Sequence, residues 1–277
     1  NIPERDLARL SPDLYMAKNY PRSIEEALSL ASSVAVFDRN ALKNMREDVH
    51  GPINEGENWD IDNKFCHIYK DYHVGNSYIA GTDVSLGVGG DYNVTVIMNV
   101  KSGDVVADIL SRDIPPEELA LHSVELLRHY HSPLWWIEHN LYGRTVIKKA
   151  VELGYKKLGY RGDKPLLWSQ IDDNETLNRV GFFTDDKSRG DLFGLLIPAI
   201  NDYQIKIYNE QGLQQFSSMI RNVNKHGKIE ATAGQHDDYV MAVGFCWLKK
   251  DDVRTDFKMY PPTRTLDFSM YQPVIRR

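Results

Sequence analysis

The chain has 277 residues, 42% hydrophobic and 26% charged, the proportions of one large globular domain or one domain with extensions. No run reaches the roughly 18 apolar residues of a membrane span, residues 1–20 lack the basic-then-apolar pattern of a secretory signal, and the two cysteines, Cys66 and Cys246, form no CxxC pair, which argues against a disulfide framework or a thiolate zinc site. A formal net charge of −6 argues against an indiscriminate nucleic-acid binder, so the expectation is a soluble, intracellular protein without a membrane partner.

Residues 1–60 are helical in tendency, with Ser23 and Glu26 spaced as a capping box in "SIEEALSLA", and then polar. The stretch 50–63, "HGPINEGENWDIDN", reads as a linker or exposed loop, and a boundary is expected near 65–75. "SYIAGTDVS" (77–85) reads as a strand that ends at Asp83, and "YNVTVIMNV" (92–100) alternates with Val94, Val96, Met98 and Val100 on one face. "GDVVADIL" (103–110) repeats that pattern after a Ser-Gly turn. "PPEELALHSVELLRHYHS" opens with prolines and acids as helices do. "PLWWIEH" is a continuous apolar run of strand length, the pattern of a strand buried on both faces, and it ends on Glu138. "GRTVIKKAVELGY" is a helix stopped at Gly154, "YQIKIYN" alternates as a strand, "EQGLQQFSSMIRNV" is an amphipathic helix, and "HDDYVMAVGFCWLKK" is an apolar helix that starts on two aspartates. Three strands, then helix, strand, helix, strand, helix, helix imply an α/β fold, a mixed central sheet flanked by helices. That is the order of the ribonuclease H-like fold.

A carboxylate at the end of a buried apolar run is costly unless it is paired or bound to a metal. Asp83 ends the first of these strands, Glu138 ends the fourth, and Asp237 with Asp238 begins the last long helix. Ligands gather at the carboxyl ends of strands in such sheets. Taken singly, Asp83 could terminate a strand turn, Glu138 could pair with Arg144, and either helix-start aspartate could be an N-cap. Converging acids need a divalent cation to coexist, and hard oxygen ligands select Mg²⁺ or Mn²⁺. Two such ions about 3.5–4 Å apart can activate a water and steady the leaving oxygen in phosphodiester cleavage. Adjacent helical residues point about 100° apart, so Asp237 and Asp238 should be unequal, with Asp237 expected as the constant ligand and Asp238 as the adjustable one. The run from 144 to 164 carries Arg144, Lys148, Lys149, Lys156, Lys157, Arg161 and Lys164 against Glu152 and Asp163, either a solvated face or a phosphate track. His122, His129 and His131 lie near one another without a ligand pattern, and no phosphate loop, HExxH, GxSxG or GxGxxG is present.

The series "GTDVSLGVGGDYNVTVIM", "WWIEHNLYG", "TDDKSRGDLFGLLIPAI", "DYQIKIYNEQGLQQF" and "GQHDDYVMAVGFCW" resembles the nuclease domain of the large terminase subunit of tailed bacteriophages, over roughly residues 75–250. The lead-in "YPRSIEEALSLASSVAVFDRNAL" (20–42) is similar to the segment that joins the family's ATPase motor to its nuclease. The resemblance implies a DNA endonuclease that cuts concatemeric double-stranded DNA in the cytoplasm of an infected bacterium. It also implies partnership with an ATPase motor domain, a portal and a small terminase subunit. By position it makes Asp83, Glu138, Asp237 and Asp238 catalytic metal ligands, places Asn140 and Gly143 in an E-x-N-x-x-G turn, and assigns Lys187 and Arg189 to a K-x-R segment that contacts DNA. It divides the chain into a lead-in (1–74), a nuclease domain (75–256) and a tail (257–277). The family's phosphate loop is missing, so no ATP hydrolysis is expected, and with Asn1 in place of a Met the simplest expectation is an excised nuclease domain. The segment "TDDKSRGD" is more acidic than the family's pattern.

Three other readings share parts of this pattern. A Holliday-junction resolvase has the same fold and a similar final helix. An actin-like sugar kinase shares a "G-x-D-x-G" strand turn but needs a second nucleotide-binding half. A DNA-binding or assembly module could keep the fold without the chemistry.

Overall fold

A computed structural model describes residues 35–54, 61, 64–87, 90–162, 174–222 and 227–256. The Ser23/Glu26 capping box, most of the 50–63 linker, Lys164 and the tail after 256 lie outside these residues.

The first described helix, α1 (Arg39–Arg46), is capped by Asp38, whose carboxylate accepts from the Ala41 N–H at 2.8 Å. A short strand, β1 (Cys66–Ile68), precedes the meander β2 (Tyr78–Asp83), β3 (Asn93–Asn99) and β4 (Val105–Ser111). Helix α2 (Pro116–His129) then crosses to β5 (Leu134–Ile137), and α3 (Gly143–Glu152) follows. The sheet runs β1-β4-β3-β2-β5, antiparallel throughout except that β5 lies parallel to β2. Three antiparallel strands with a parallel fourth beside the first make the ribonuclease H-like arrangement, as expected. β1 and α1 both fall before residue 75; β1 is the edge strand of this sheet with Cys66 and Ile68 in the core on one face, while Leu42 and Met45 of α1 lie in the core on the other.

Every residue of β3 is buried, because helices cover both faces of the sheet. One face packs Val94, Val96 and Met98 against the later helices; the other packs Ile97 against α2 and α3. Between the strands, Thr82 and Thr95 share a 2.7 Å hydrogen bond, and Trp135 donates its indole N–H to Thr82 Oγ1 at 2.7 Å. A tryptophan can therefore lie wholly inside with its polar atom satisfied.

The second half of the chain departs from the sequence reading in three places. After a single helical turn, α4 (Asn174–Leu177), comes α5 (Asp186–Asn201), a helix absent from the sequence reading and formed in spite of Gly190, Gly194 and Pro198, which are poor helix formers. A capping box between Asp185 and Ser188 starts it, and the buried Leu192, Phe193, Leu196 and Ile200 hold it to the core. "YQIKIYN" is not a strand. Lys206 makes one parallel bridge to Asp104, and the rest of that β4 edge is already taken by β1, which pairs with Ala107, Asp108 and Ile109. The expected helix "EQGLQQFSSMIRNV" stops early: α6 (Glu210–Ser217) is followed by a hairpin of β6 (Met219–Asn222) and β7 (Lys228–Ala231).

The last helix, α7 (Asp238–Lys249), lies across β2 and β3. Gly81 makes that approach possible, since a Cβ there would stand 2.3 Å from the Ala242 carbonyl oxygen. No helix among the described residues is long and apolar enough to cross a membrane.

Candidate metal centre

The geometry of the acids follows from the parallel pairing of β2 and β5. Thr82 is in register with Ile137, so the next residues, Asp83 and Glu138, leave the sheet at the same level. Glu138 is held on both sides through its main chain, by its own N–H on the Thr82 carbonyl (2.9 Å) and by a parallel bridge to Phe182. The docking of α7 over Gly81 brings Asp237 and Asp238 near enough for their charges to act on Asp83.

These carboxylates feel one another. Burial, the Glu138 carboxylate hydrogen-bonded beside it, and then Asp238 and Asp237 hold the Asp83 carboxyl well above the ordinary range. The rise falls on Asp83, the carboxyl that burial and three neighbouring acids act on together. Asp238 is pushed up to about 7, by burial first, against the opposing Tyr92 N–H, with Asp91 and Asp237 adding to the rise.

The E-x-N-x-x-G turn has a physical explanation. Asn140 donates from Nδ2 to Glu138 Oε2 at 2.6 Å and to the Val84 carbonyl at 2.9 Å, while its Oδ1 accepts from the Gly143 N–H at 2.7 Å. One amide thus fixes the carboxylate and opens α3. Among the described residues no ion pair joins Glu138 to Arg144; Asn140 and Asp83 take that carboxylate instead.

Asp237 occupies the N-cap position of α7 without a side-chain cap bond, and its carboxylate pairs with the Arg189 guanidinium. Arg189 turns inward, with one further N–H 3.3 Å from the Ile229 carbonyl and its guanidinium 5.2 Å from the Phe193 ring centre. Lys187, two residues earlier, is exposed. Arg189 also lines an open groove of about 470 Å³ between α5 and the β6–β7 hairpin, shared with Phe193, Arg221 and Lys228. On α3, Arg144 and Lys148 flank a small depression with Leu177, and Lys149 pairs with Glu152 at 3.1 Å. Lys156 and Lys157 are exposed beyond it. His122, His129 and His131 go separate ways, to Glu118, to Asp71 and onto the Tyr72 ring.

Four residues next to the acids went unnoticed in the sequence. Tyr92 donates its N–H to Asp238 Oδ2 at 3.0 Å, His236 Nδ1 lies 3.1 Å from Asp91 Oδ1 and 3.7 Å from Asp238 Oδ2, and Arg112 reaches the far side of the His236 ring. Only His236 had a local signal, its place directly before the aspartate pair; the others come from loops that the fold alone brings there.

No protein-family model and no curated protein matches the sequence. Among solved structures, the large terminase nuclease of thermophilic phage G20c with bound magnesium superposes at a TM-score of 0.56 and 14% identity, over 77% of this chain and 96% of that one. The same nuclease with bound cobalt gives 0.55 and 14% over 77% and 96%. The large terminase nuclease domain of Thermus phage P74-26 gives 0.52 and 14% over 78% and 95%. The chain therefore carries the ribonuclease H-like fold of these large terminase nuclease domains.

Proposed function

We propose that this chain is a divalent-metal-dependent endonuclease of a viral DNA-packaging terminase, cutting concatemeric double-stranded DNA with low sequence specificity. One observation supports the reading: Asp83 and Glu138 follow a parallel strand pair at the same level, and Asp238 and Asp237 lie close enough to add to the rise of the Asp83 carboxyl. An all-carboxylate donor set suits hard cations, Mg²⁺ or Mn²⁺, and these four residues would hold two of them. The G20c nuclease, of the same fold, was solved with magnesium and with cobalt. When bound, such ions polarise a phosphate and supply a nucleophilic water at neutral pH.

The chain's own residues prepare the site. The raised Asp83 carboxyl would lose its proton to a cation, Asn140 keeps Glu138 aimed, and Arg189 pairs with Asp237. Arg144, Lys148, Lys149, Lys187 and Arg189 are assigned to the DNA backbone, where contacts are sequence-independent. Residues 75–256 are assigned to the nuclease, 1–74 to the lead-in from an ATPase motor and 257–277 to a tail. The portal and small terminase subunit are the expected partners, in the host cytoplasm.

Plasmid nicking with Mn²⁺, Mg²⁺ and chelator tests this. Wild-type chain should nick with metal only, and Asp83→Ala or Glu138→Ala should be inactive; nicking by Asp83→Ala at the wild-type rate would overturn the assignment. Cleavage confined to four-way junctions would make it a resolvase. Across a Mn²⁺ titration, Asp237→Asn should stay inactive while Asp238→Asn partly recovers, and the reverse would exchange the two roles.

A further inference from the structure

Most large apolar side chains of the described residues lie inside, but Leu86 is 51% exposed, Leu141 76% and Phe183 49%, and none of the three belongs to the core on either face of the sheet. Single exposed leucines are ordinary on a protein surface. These three, however, share a place. Leu86 stands three residues after Asp83, Leu141 three after Glu138, and Phe183 directly after Phe182, which bridges to Glu138. Hydrogen bonds tie the three segments together: Asn140 Nδ2 donates to the Val84 carbonyl at 2.9 Å, and the His139 N–H donates to the Phe182 carbonyl at 2.5 Å.

Local structure does not call for apolar residues at these positions. The E-x-N-x-x-G turn uses Asn140 and Gly143, and Tyr142 packs against the core while Leu141 is left in solvent. Phe182 is buried against Phe245, 4.7 Å between ring centres, and extended backbone turns the next side chain, Phe183, to the opposite side.

Charge indicates what they meet. The Arg161 guanidinium lies 5.4 Å from the Phe183 ring centre, and Arg144 and Lys148 of α3 follow Leu141, so a polyanion is drawn to this rim. Asp185 and Asp186, two and three residues beyond Phe183, are exposed and repel phosphate. Leucine and phenylalanine side chains offer a phosphate oxygen no donor. The neutral parts of a nucleotide are its sugar and its base. Successive nucleotides of one strand stand about 3.4 Å apart along a duplex, so a phosphate held at the acids brings the bases on either side of it to these loops. Apolar side chains that enter DNA do so between base steps, which they unstack.

We infer that Leu86, Leu141 and Phe183 form an apolar wedge against the bases that flank the scissile phosphate, so that the chain engages a step with unstacked bases in preference to an intact duplex. Stacking on an aromatic ring tolerates every base, which agrees with cutting at low sequence specificity. The wedge rests on the nuclease reading for the place of the phosphate, and its test includes binding without metal or cleavage.

The full chain is titrated, in chelator, into two duplexes that carry 2-aminopurine at one position, either inside a short bubble or fully paired. Affinity for the bubble should exceed that for the paired duplex about 10-fold, the scale of one base–aromatic stack, with 2-aminopurine quenched in the bubble only. Phe183→Ala should remove most of that preference and Leu141→Ser part of it, whereas Phe183→Trp, which keeps an aromatic face, should retain it. Equal wild-type affinity for the two duplexes, or a preference that survives Phe183→Ala combined with Leu141→Ser, would overturn the wedge. Sedimentation in which the double variant loses self-association while its DNA preference is unchanged would make the rim a protein contact, and overturn it too. Cleavage in Mn²⁺ separates the two readings. A chain that cuts both duplexes at one rate and binds them equally would refute the wedge and leave the nuclease standing; one that prefers the bubble but cuts neither would refute the nuclease and leave the base contact.

Discussion

Gly143 has no side chain because the Glu138 carbonyl oxygen stands 1.8 Å from where a Cβ would be. Gly143→Ala must push the end of β5 aside. It should lower stability by about 1–3 kcal/mol, as overpacking does, and reduce nicking further than stability alone accounts for, read by urea unfolding beside plasmid nicking. The raised carboxyls make a second prediction at this scale. A carboxyl whose folded pKa lies above its unfolded value near 4 binds its proton more tightly in the folded chain. Its contribution is then most favourable below pH 4 and is lost as pH rises through the folded value, about 7 for Asp238. With chelator, the thermal midpoint should therefore be lower at pH 8 than at pH 5.5 as far as these groups govern it. Mn²⁺ should reverse the drop, and Asp238→Asn should flatten it. A midpoint that rises with pH in chelator and does not respond to Asp238→Asn would contradict this electrostatic picture.

Among the elements, α3 tests whether the basic run meets DNA. Lys148 is exposed, whereas Lys149 is half-occupied by Glu152 at 3.1 Å. Replacing both by glutamate should weaken binding and reduce the salt slope of log K by up to about two units, fewer if Lys149 stays with Glu152. An unchanged slope would make α3 a solvated face. Strands β2 to β5 and helix α7 were legible from sequence because each is an apolar or alternating run with a clean end: β2 stops on Asp83, "PLWWIEH" on Glu138, and α7 opens on Asp237. α5 was illegible because its glycines and proline oppose helix locally, and only burial of Leu192, Phe193 and Leu196 overrides them. The hairpin was illegible because "SSMIRNV" has no period of its own; its register comes from pairing Met219 with Ala231 and Ile220 with Glu230.

Across the whole molecule, Asp108 joins elements far apart in the chain. Wholly buried in β4, its carboxyl meets His67 of β1 at 3.0 Å, the Asn209 amide that precedes α6 at 3.0 Å, and the Tyr239 hydroxyl of α7 at 2.7 Å. Asp108→Ala would take their common acceptor from the buried Tyr239 and the half-buried His67 and Asn209. The expected loss is about 3–5 kcal/mol, the scale for breaking a buried polar pair, measured by urea unfolding. Tyr239 adjoins Asp238, so the same variant should also weaken Mn²⁺ binding. Loss of stability with unchanged metal affinity would show that α7 is held at its N-terminus by other contacts. The net charge of −6 predicts that DNA affinity of the whole chain is weak and falls steeply with salt.

The sequence by itself determined which acids end apolar segments, the α/β order of those segments, and the E-x-N-x-x-G turn, since each is written in local residue types and spacing. Tertiary structure alone decided that Lys206 makes only a bridge, because β1 already occupies the β4 edge, and that Arg189 faces Asp237. It also placed Arg112, Tyr92 and Asp91 around His236 and Asp238, with contacts between residues up to 146 positions apart along the chain. Periodicity and capping act over a few residues and can be read from the chain. Hydrogen bonds and charge pairs between distant loops depend on where the sheet and α7 bring them, and no local pattern encodes that.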